Sequence, residues 1–173
     1  MPNSSKPTKA VWGYYALAVF VIIFDQITKH YFNNQFELGE TLEIISPILN
    51  WTLAYNYGAA FSFLAEAGGW QKWFFAVLGI VVSVFITHYL KQTAKNAKLL
   101  SVGLAMILGG AVGNVIDRFF YGYVIDFIHV HYADVWHYPI FNIADIGICV
   151  GMVLVVIDML FLENKRKISQ NTQ

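Results

Sequence analysis

Two aspartates stand where ordinary surface charge does not explain them. Asp126 interrupts the apolar run Val124-Ile125-Asp126-Phe127-Ile128 with no basic neighbour, and Asp145 follows Ile143 and Ala144 at the start of another apolar stretch. Two carboxylates that converge can share one proton, because both cannot readily ionise at close range. One then acts as base on a water and the other as acid on a carbonyl oxygen. Such a pair titrates as a unit and hydrolyses a peptide bond with neither metal nor covalent intermediate. Spacing alone does not bring Asp126 and Asp145 together. Each also has a plainer reading: Asp145 as an anion favoured by a helix N-terminus, Asp126 as a solvated strand residue.

Other polar groups collect around them in the chain. Asp25 and Lys29 are four apart, the spacing of an ion pair on one helix face; Gln26 lies between them. Asn114, Asp117 and Arg118 close a further apolar stretch, where Arg118 can anchor another carboxylate. Asn56 lies in a connecting segment, and Asn142, just before Ile143, suits a helix N-cap. Charged groups at membrane depth cost several kcal/mol unless paired or hydrated, which marks them for function.

Rival chemistries are less well supplied. His129-Val130-His131 puts two imidazoles on one strand face with His137 nearby, and zinc uses such ligands. No glutamate accompanies them as a catalytic partner, so they are expected as interfacial histidines. No serine sits in a Gly-x-Ser-x-Gly context, and Ser62 with Lys29 has no supporting residues. The lone Cys149 excludes an internal disulfide. It lies a turn deeper than Asp145 in an apolar run and is expected as a small core residue.

The elements that position these residues are read from composition and periodicity. The chain is 57% hydrophobic and only 13% charged, where soluble domains carry about 25% charge. Its formal net charge of zero gives no reason to expect a nucleic-acid partner. Four apolar stretches, about 11–30, 70–90, 99–116 and 143–162, each approach the roughly 20 residues that cross a bilayer. The first has no small-x-small cleavage site after it and is read as an uncleaved span. Lys6, Lys9, Lys91, Lys95, Lys98, Lys165, Arg166 and Lys167 fall on one side if the spans alternate. The positive-inside rule makes that side cytoplasmic, with both termini. Segments 31–69 and 117–142 then face outward. Trp12, Tyr14, Tyr15, His88 and Tyr89 mark inner span ends, Trp70 and Trp73 an outer one. Residues 41–45, 49–55 and 123–130 look like strands, with a turn at Ser46-Pro47. The expectation is an all-α integral membrane protein: one membrane domain over 1–173, four transmembrane helices and a small outer-face sheet. Residues 164–173 are expected to be a frayed polar tail. Gly109-x-x-x-Gly113 and Gly147-x-x-x-Gly151 are expected to pack helices closely.

Taken together, five blocks resemble bacterial lipoprotein signal peptidase, or signal peptidase II. They are Asp25-Gln26-Ile27-Thr28-Lys29, Asn56-Tyr57-Gly58-Ala59-Ala60-Phe61, the run from Gly109 to Arg118, Val124-Ile125-Asp126-Phe127, and Phe141-Asn142-Ile143-Ala144-Asp145. Each block is weak alone; the ordered set is specific and spans residues 25–145. The resemblance implies an aspartyl peptidase of the bacterial inner membrane, working near its outer face without a cofactor. It implies Asp126 and Asp145 as catalytic dyad. Asn56, Asn114, Arg118, Asn142 and Gly110 are implied as substrate-binding or supporting residues, and Asp25, Lys29 and Asp117 as structural support. The implied substrate is a diacylglyceryl-prolipoprotein, cut just before the lipidated cysteine, with membrane lipid around it and globomycin-type cyclic peptides as inhibitors.

Two other readings stay open on residues alone. A small carrier using the same aspartates predicts internal repeats, which are not found, and polar residues through the inner half of the bundle. Ser83, Thr87, His88 and Ser101 are the few on offer in the second and third spans. A non-enzymatic lipoprotein-binding factor would tolerate asparagine at positions 126 and 145.

Overall fold

A computed structural model describes residues 9–58, 68–93, 97–133 and 135–171. Ala59, Ala60, Phe61, Ser62, Lys6 and Lys95 lie outside them. The elements run α1 (Lys9–Gln35), β1 (Thr41–Ile45), β2 (Leu49–Asn56), α2 (Gln71–Thr93), α3 (Lys98–Phe120), β3 (Val124–Tyr132), β4 (Trp136–His137), α4 (Ile143–Ile157), a π-helical stretch (Asp158–Leu162) and α5 (Glu163–Asn171).

At about 1.5 Å per residue, the 23 residues of α2 and of α3 outreach the roughly 30 Å of a bilayer's hydrocarbon core. Four helices are long and apolar enough to cross a membrane. Large apolar side chains such as Phe20, Ile27, Val81, Phe85, Val153 and Leu160 lie on the outside of the bundle, a surface suited to lipid rather than water. This is a membrane protein of four long helices with a small antiparallel sheet.

The bundle is built around α3, which is 61% buried over its apolar span against 17% for each of the others. Glycine makes that centrality achievable, because it removes the side chain at each helix crossing. A Cβ on Gly109 would lie 2.7 Å from the Ala18 carbonyl of α1, and one on Gly113 would lie 2.6 Å from Asp25 Oδ2. On another side, Gly103 and Gly110 meet the backbone of α4 at Gly151 and Ala144. The expected pairs therefore divide their work. Gly109 and Gly113 face α1, while Gly147 and Gly151 meet α3 through Met106, Gly103 and Ile107.

The sheet has the order β1-β2-β3-β4, all antiparallel. It rests on the end of α1: Phe32 stacks on Phe127 at 4.1 Å, with Trp51, Leu53 and Ile125 around them. Residues 138–141 then return alongside β3. The Phe141 carbonyl accepts from Phe127 N and Ile128 N, and Phe141 N donates to Ile128 O. That return delivers Asn142 and the start of α4 beside the middle of β3.

Three expectations need correction. α3 continues to Phe120, so Asp117 and Arg118 lie within its last turn and not in the connection after it. Residues 164–171 are helical and not a frayed tail. Arg166 grips Asp158 through both Nη atoms, at 2.8 and 2.5 Å, and Lys167 pairs with Glu163, which carries the helix past its apolar part. Cys149 is exposed, because α4 turns it toward the lipid side and away from α3.

Candidate active site

Strand β3 supplies Asp126 and helix α4 supplies Asp145. Asp126 is almost fully buried. Its Oδ1 accepts from Asn142 Nδ2 at 2.6 Å and its Oδ2 from Asn56 Nδ2 at 3.2 Å. Asp145 is half-buried in the first turn of α4. Its Oδ1 accepts from Asn114 Nδ2 at 2.9 Å, and its Oδ2 accepts from Asn142 N at 3.2 Å.

Asn142 ties the two acids together. It is the N-cap of α4, accepting from Asp145 N at 2.9 Å through its side chain, while Asp145 caps Asn142 N in return. The same amide donates to Asp126. One residue therefore holds both carboxylates, and it does so as the cap that starts α4. Burial, and then the charge of Asp145, push Asp126 up to about 7. A carboxyl raised in this way can keep its proton and serve as an acid beside a second carboxyl group.

Behind the pair lies a buried charge cluster. Lys29 Nζ is 2.9 Å from Asp25 Oδ2, 3.0 Å from Asp117 Oδ2 and 2.8 Å from Asn114 Oδ1. With Oδ1 turned to a cation, Asn114 must aim its amide hydrogens elsewhere, and one reaches Asp145. Gln26 Nε2 donates to Asp117 Oδ1 at 2.8 Å and to Gly113 O at 3.2 Å. The acids then reach outward: Ala144 N donates to Asp25 Oδ1 at 2.8 Å, and Ile125 N to Asp117 Oδ2 at 3.0 Å. Those bonds pin the first turn of α4 and the start of β3, the two elements that carry Asp145 and Asp126. Removing one member of a buried ion cluster costs about 3–5 kcal/mol.

Among the described residues Arg118 pairs with no carboxylate, where the sequence suggested that it would anchor one. Its Nη2 donates to Gly58 O at 2.8 Å, its guanidinium lies over the Phe75 ring, and its buried Nε has no partner. Gly110 sits at the α3–α4 crossing against Ala144 O, one residue from Asp145 in sequence, and holds the helices together there. Gln26 belongs to the cluster more fully than its sequence position indicated. The one clue was its place between Asp25 and Lys29.

A cavity of about 310 Å³ opens beside Asp145, lined by Tyr138, Pro139, Ile140, Phe141, Asp145, Ile148, Cys149 and Met152. Among the described residues Asp145 is its only charged wall, and the lining continues down α4 along the lipid side. His129, His131 and His137 do not join the site. Side chains alternate along a strand, so His129 and His131 point to the face of β3 opposite Asp126. Lys29 is already engaged by three partners, and Ser62 lies outside the described residues.

The model of the family described as signal peptidase (SPase) II matches residues 17–161. The lipoprotein signal peptidase of Ectopseudomonas mendocina is 46% identical over 159 residues, which cover 92% of this chain and 93% of that one. The lipoprotein signal peptidase of Chromobacterium violaceum is 50% identical over 145 residues, covering 84% and 89%. A solved structure described as a bacterial membrane enzyme, determined by the in meso method at 2.3 Å resolution, superposes with a TM-score of 0.77. It shares 33% identity, over 86% of this chain and 87% of that one.

Proposed function

This chain belongs to the signal peptidase II family, and from that membership we propose that it removes the signal peptide of diacylglyceryl-modified prolipoproteins through the Asp126–Asp145 pair. The observation that carries the reading is Asn142, which hydrogen-bonds Asp126 through its side chain while forming a reciprocal cap with Asp145.

In the proposed reaction Asp145 takes a proton from water as that water attacks the scissile carbonyl carbon. Asp126 gives its proton to the carbonyl oxygen, forming a neutral diol. The diol collapses as Asp145 returns its proton to the departing nitrogen and Asp126 recovers one from the diol hydroxyl. Atoms and charge balance, and the pair ends as it began. Asn56, Asn114 and Asn142 keep the carboxylates aimed. The unpartnered Nε of Arg118 is a donor available to a substrate carbonyl. Asp25, Lys29 and Asp117 hold the two elements in place. The apolar cavity beginning at Asp145 suits the acyl chains carried by the residue after the scissile bond, and the same cleft suits globomycin-type cyclic peptides. The site lies at the outer face of the inner membrane in this reading.

The test is cleavage of a diacylglyceryl-modified lipobox peptide by purified protein in detergent. We expect Asp126→Asn and Asp145→Asn each to lose about 10³-fold or more in rate, and wild-type activity to survive EDTA. Activity abolished by EDTA and restored by zinc would overturn the metal-free reading of the pair. A folded wild type without cleavage would favour the carrier or binding-factor readings.

A further inference from the structure

The face of β3 turned away from Asp126 carries a second polar constellation. His129 and His131 are two residues apart, and His137 on β4 is the register partner of His131. Ring centroids are 5.2 Å apart for His129–His131, 5.2 Å for His129–His137 and 5.7 Å for His131–His137.

Each β3 ring has its Nδ1 engaged by a hydrogen bond, which leaves Nε2 as the nitrogen that can take a ligand. His131 Nδ1 donates to the Ala133 carbonyl at 3.1 Å, and His129 Nδ1 lies 3.2 Å from Thr52 Oγ1. Metal-binding imidazoles are oriented in this way, with the second ring nitrogen hydrogen-bonded so that the first offers its lone pair. His131 is only 8% exposed, and its Nε2 is buried without a partner. Asn50, the register partner of His129 on β2, likewise leaves Oδ1 buried and unpartnered. An unsatisfied buried polar atom costs about 1–3 kcal/mol, and here two lie around the same rings.

As the rings stand they are stacked, and among the described residues no three such donors converge on one point. Two of the three nitrogens are already close together. Tetrahedral ligands about 2.0–2.1 Å from zinc stand about 3.3–3.4 Å from one another. His129 Nε2 and His137 Nδ1 are already 3.0 Å apart. His137 is exposed on a strand of two residues, so its ring can turn to open the gap.

We propose that His129 Nε2, His131 Nε2 and His137 Nδ1 bind a divalent transition cation of the zinc class, with water in the fourth position. Imidazole donors select zinc, copper or nickel over magnesium or calcium. On the face opposite Asp126 the ion takes no part in peptide cleavage. It ties β4, and through it the 138–141 return, to β3.

The full-length protein, purified in detergent and stripped with chelator, is titrated with Zn²⁺ by calorimetry and with Co²⁺ by absorption. The expected result is one equivalent of Zn²⁺ and a tetrahedral Co²⁺ spectrum. His129→Ala and His137→Ala should each weaken binding by more than about tenfold, and Thr52→Val by roughly tenfold through the lost support of His129. Zn²⁺ should raise the melting temperature of wild type and not of His137→Ala. Absence of saturable binding, or binding that persists in the His129→Ala/His137→Ala double variant, overturns the proposal. Because the readout is binding, loss of the peptidase reading would leave it standing.

Discussion

At the scale of single residues, the position of one proton decides whether the pair works in the proposed reaction. Asp126 is raised first by burial and then by Asp145, and it is held back by donors from Asn142 and Asn56. An acid that must be protonated loses its function as pH rises through its pKa, so kcat/KM should fall above an apparent value of about 7. Removing a donor that favours the charged form raises the pKa further. Asn56→Ala should therefore move the alkaline limb to higher pH while lowering kcat, whereas a purely structural Asn56 would lower activity with the limb unmoved. A pH profile of both proteins with the lipobox peptide decides this. The carboxylates were legible in the sequence because their surroundings are apolar. Their meeting was not, since it depends on Asn142 reaching back from the α4 cap to β3, and no periodicity encodes that contact.

At the scale of elements, helix packing sets where Asp145 stands. α3 and α4 approach until Gly110 touches the Ala144 carbonyl, one residue before Asp145. A methyl there meets backbone, which cannot swing aside as a side chain can. Gly110→Ala should destabilise the protein by about 1–3 kcal/mol and lower cleavage with it. Gly13→Ala, with nothing within 4 Å of its new Cβ, should be neutral or stabilise by up to about 1 kcal/mol. Melting curves in detergent compare the two, and equal effects would mean that the α3–α4 crossing yields. The four spans, the strand runs and the Asn142 cap were readable, because length, alternation and cap chemistry are local. Which glycine meets which helix was not, because a four-residue glycine spacing names no partner. Cys149 was misplaced for a related reason: in a membrane helix an apolar residue is equally at home against protein or lipid, so hydropathy does not say which side is buried.

At the scale of the whole molecule, chemistry and charge separate along the bundle. The C-terminal ends of α1 and α3, the start of α4 and the sheet share one end with both aspartates. The end of α2, the start of α3 and all of α5 therefore lie at the other, bringing Lys91, Lys98, Lys165, Arg166 and Lys167 with them. Carrying such residues across the hydrocarbon costs about 2.5–3.5 kcal/mol each, so the basic end should stay in the cytoplasm and the aspartates should face outward. That orientation is testable in a Cys149→Ala background with a membrane-impermeant thiol reagent. A cysteine placed at the exposed Glu43 of β1 should label in intact spheroplasts, and one placed at the exposed Lys165 of α5 only after the membrane is opened. The reverse pattern would put the carboxylates on the cytoplasmic side, where the proposed substrate, a lipid-modified precursor exported through the membrane, could not present its scissile bond to them.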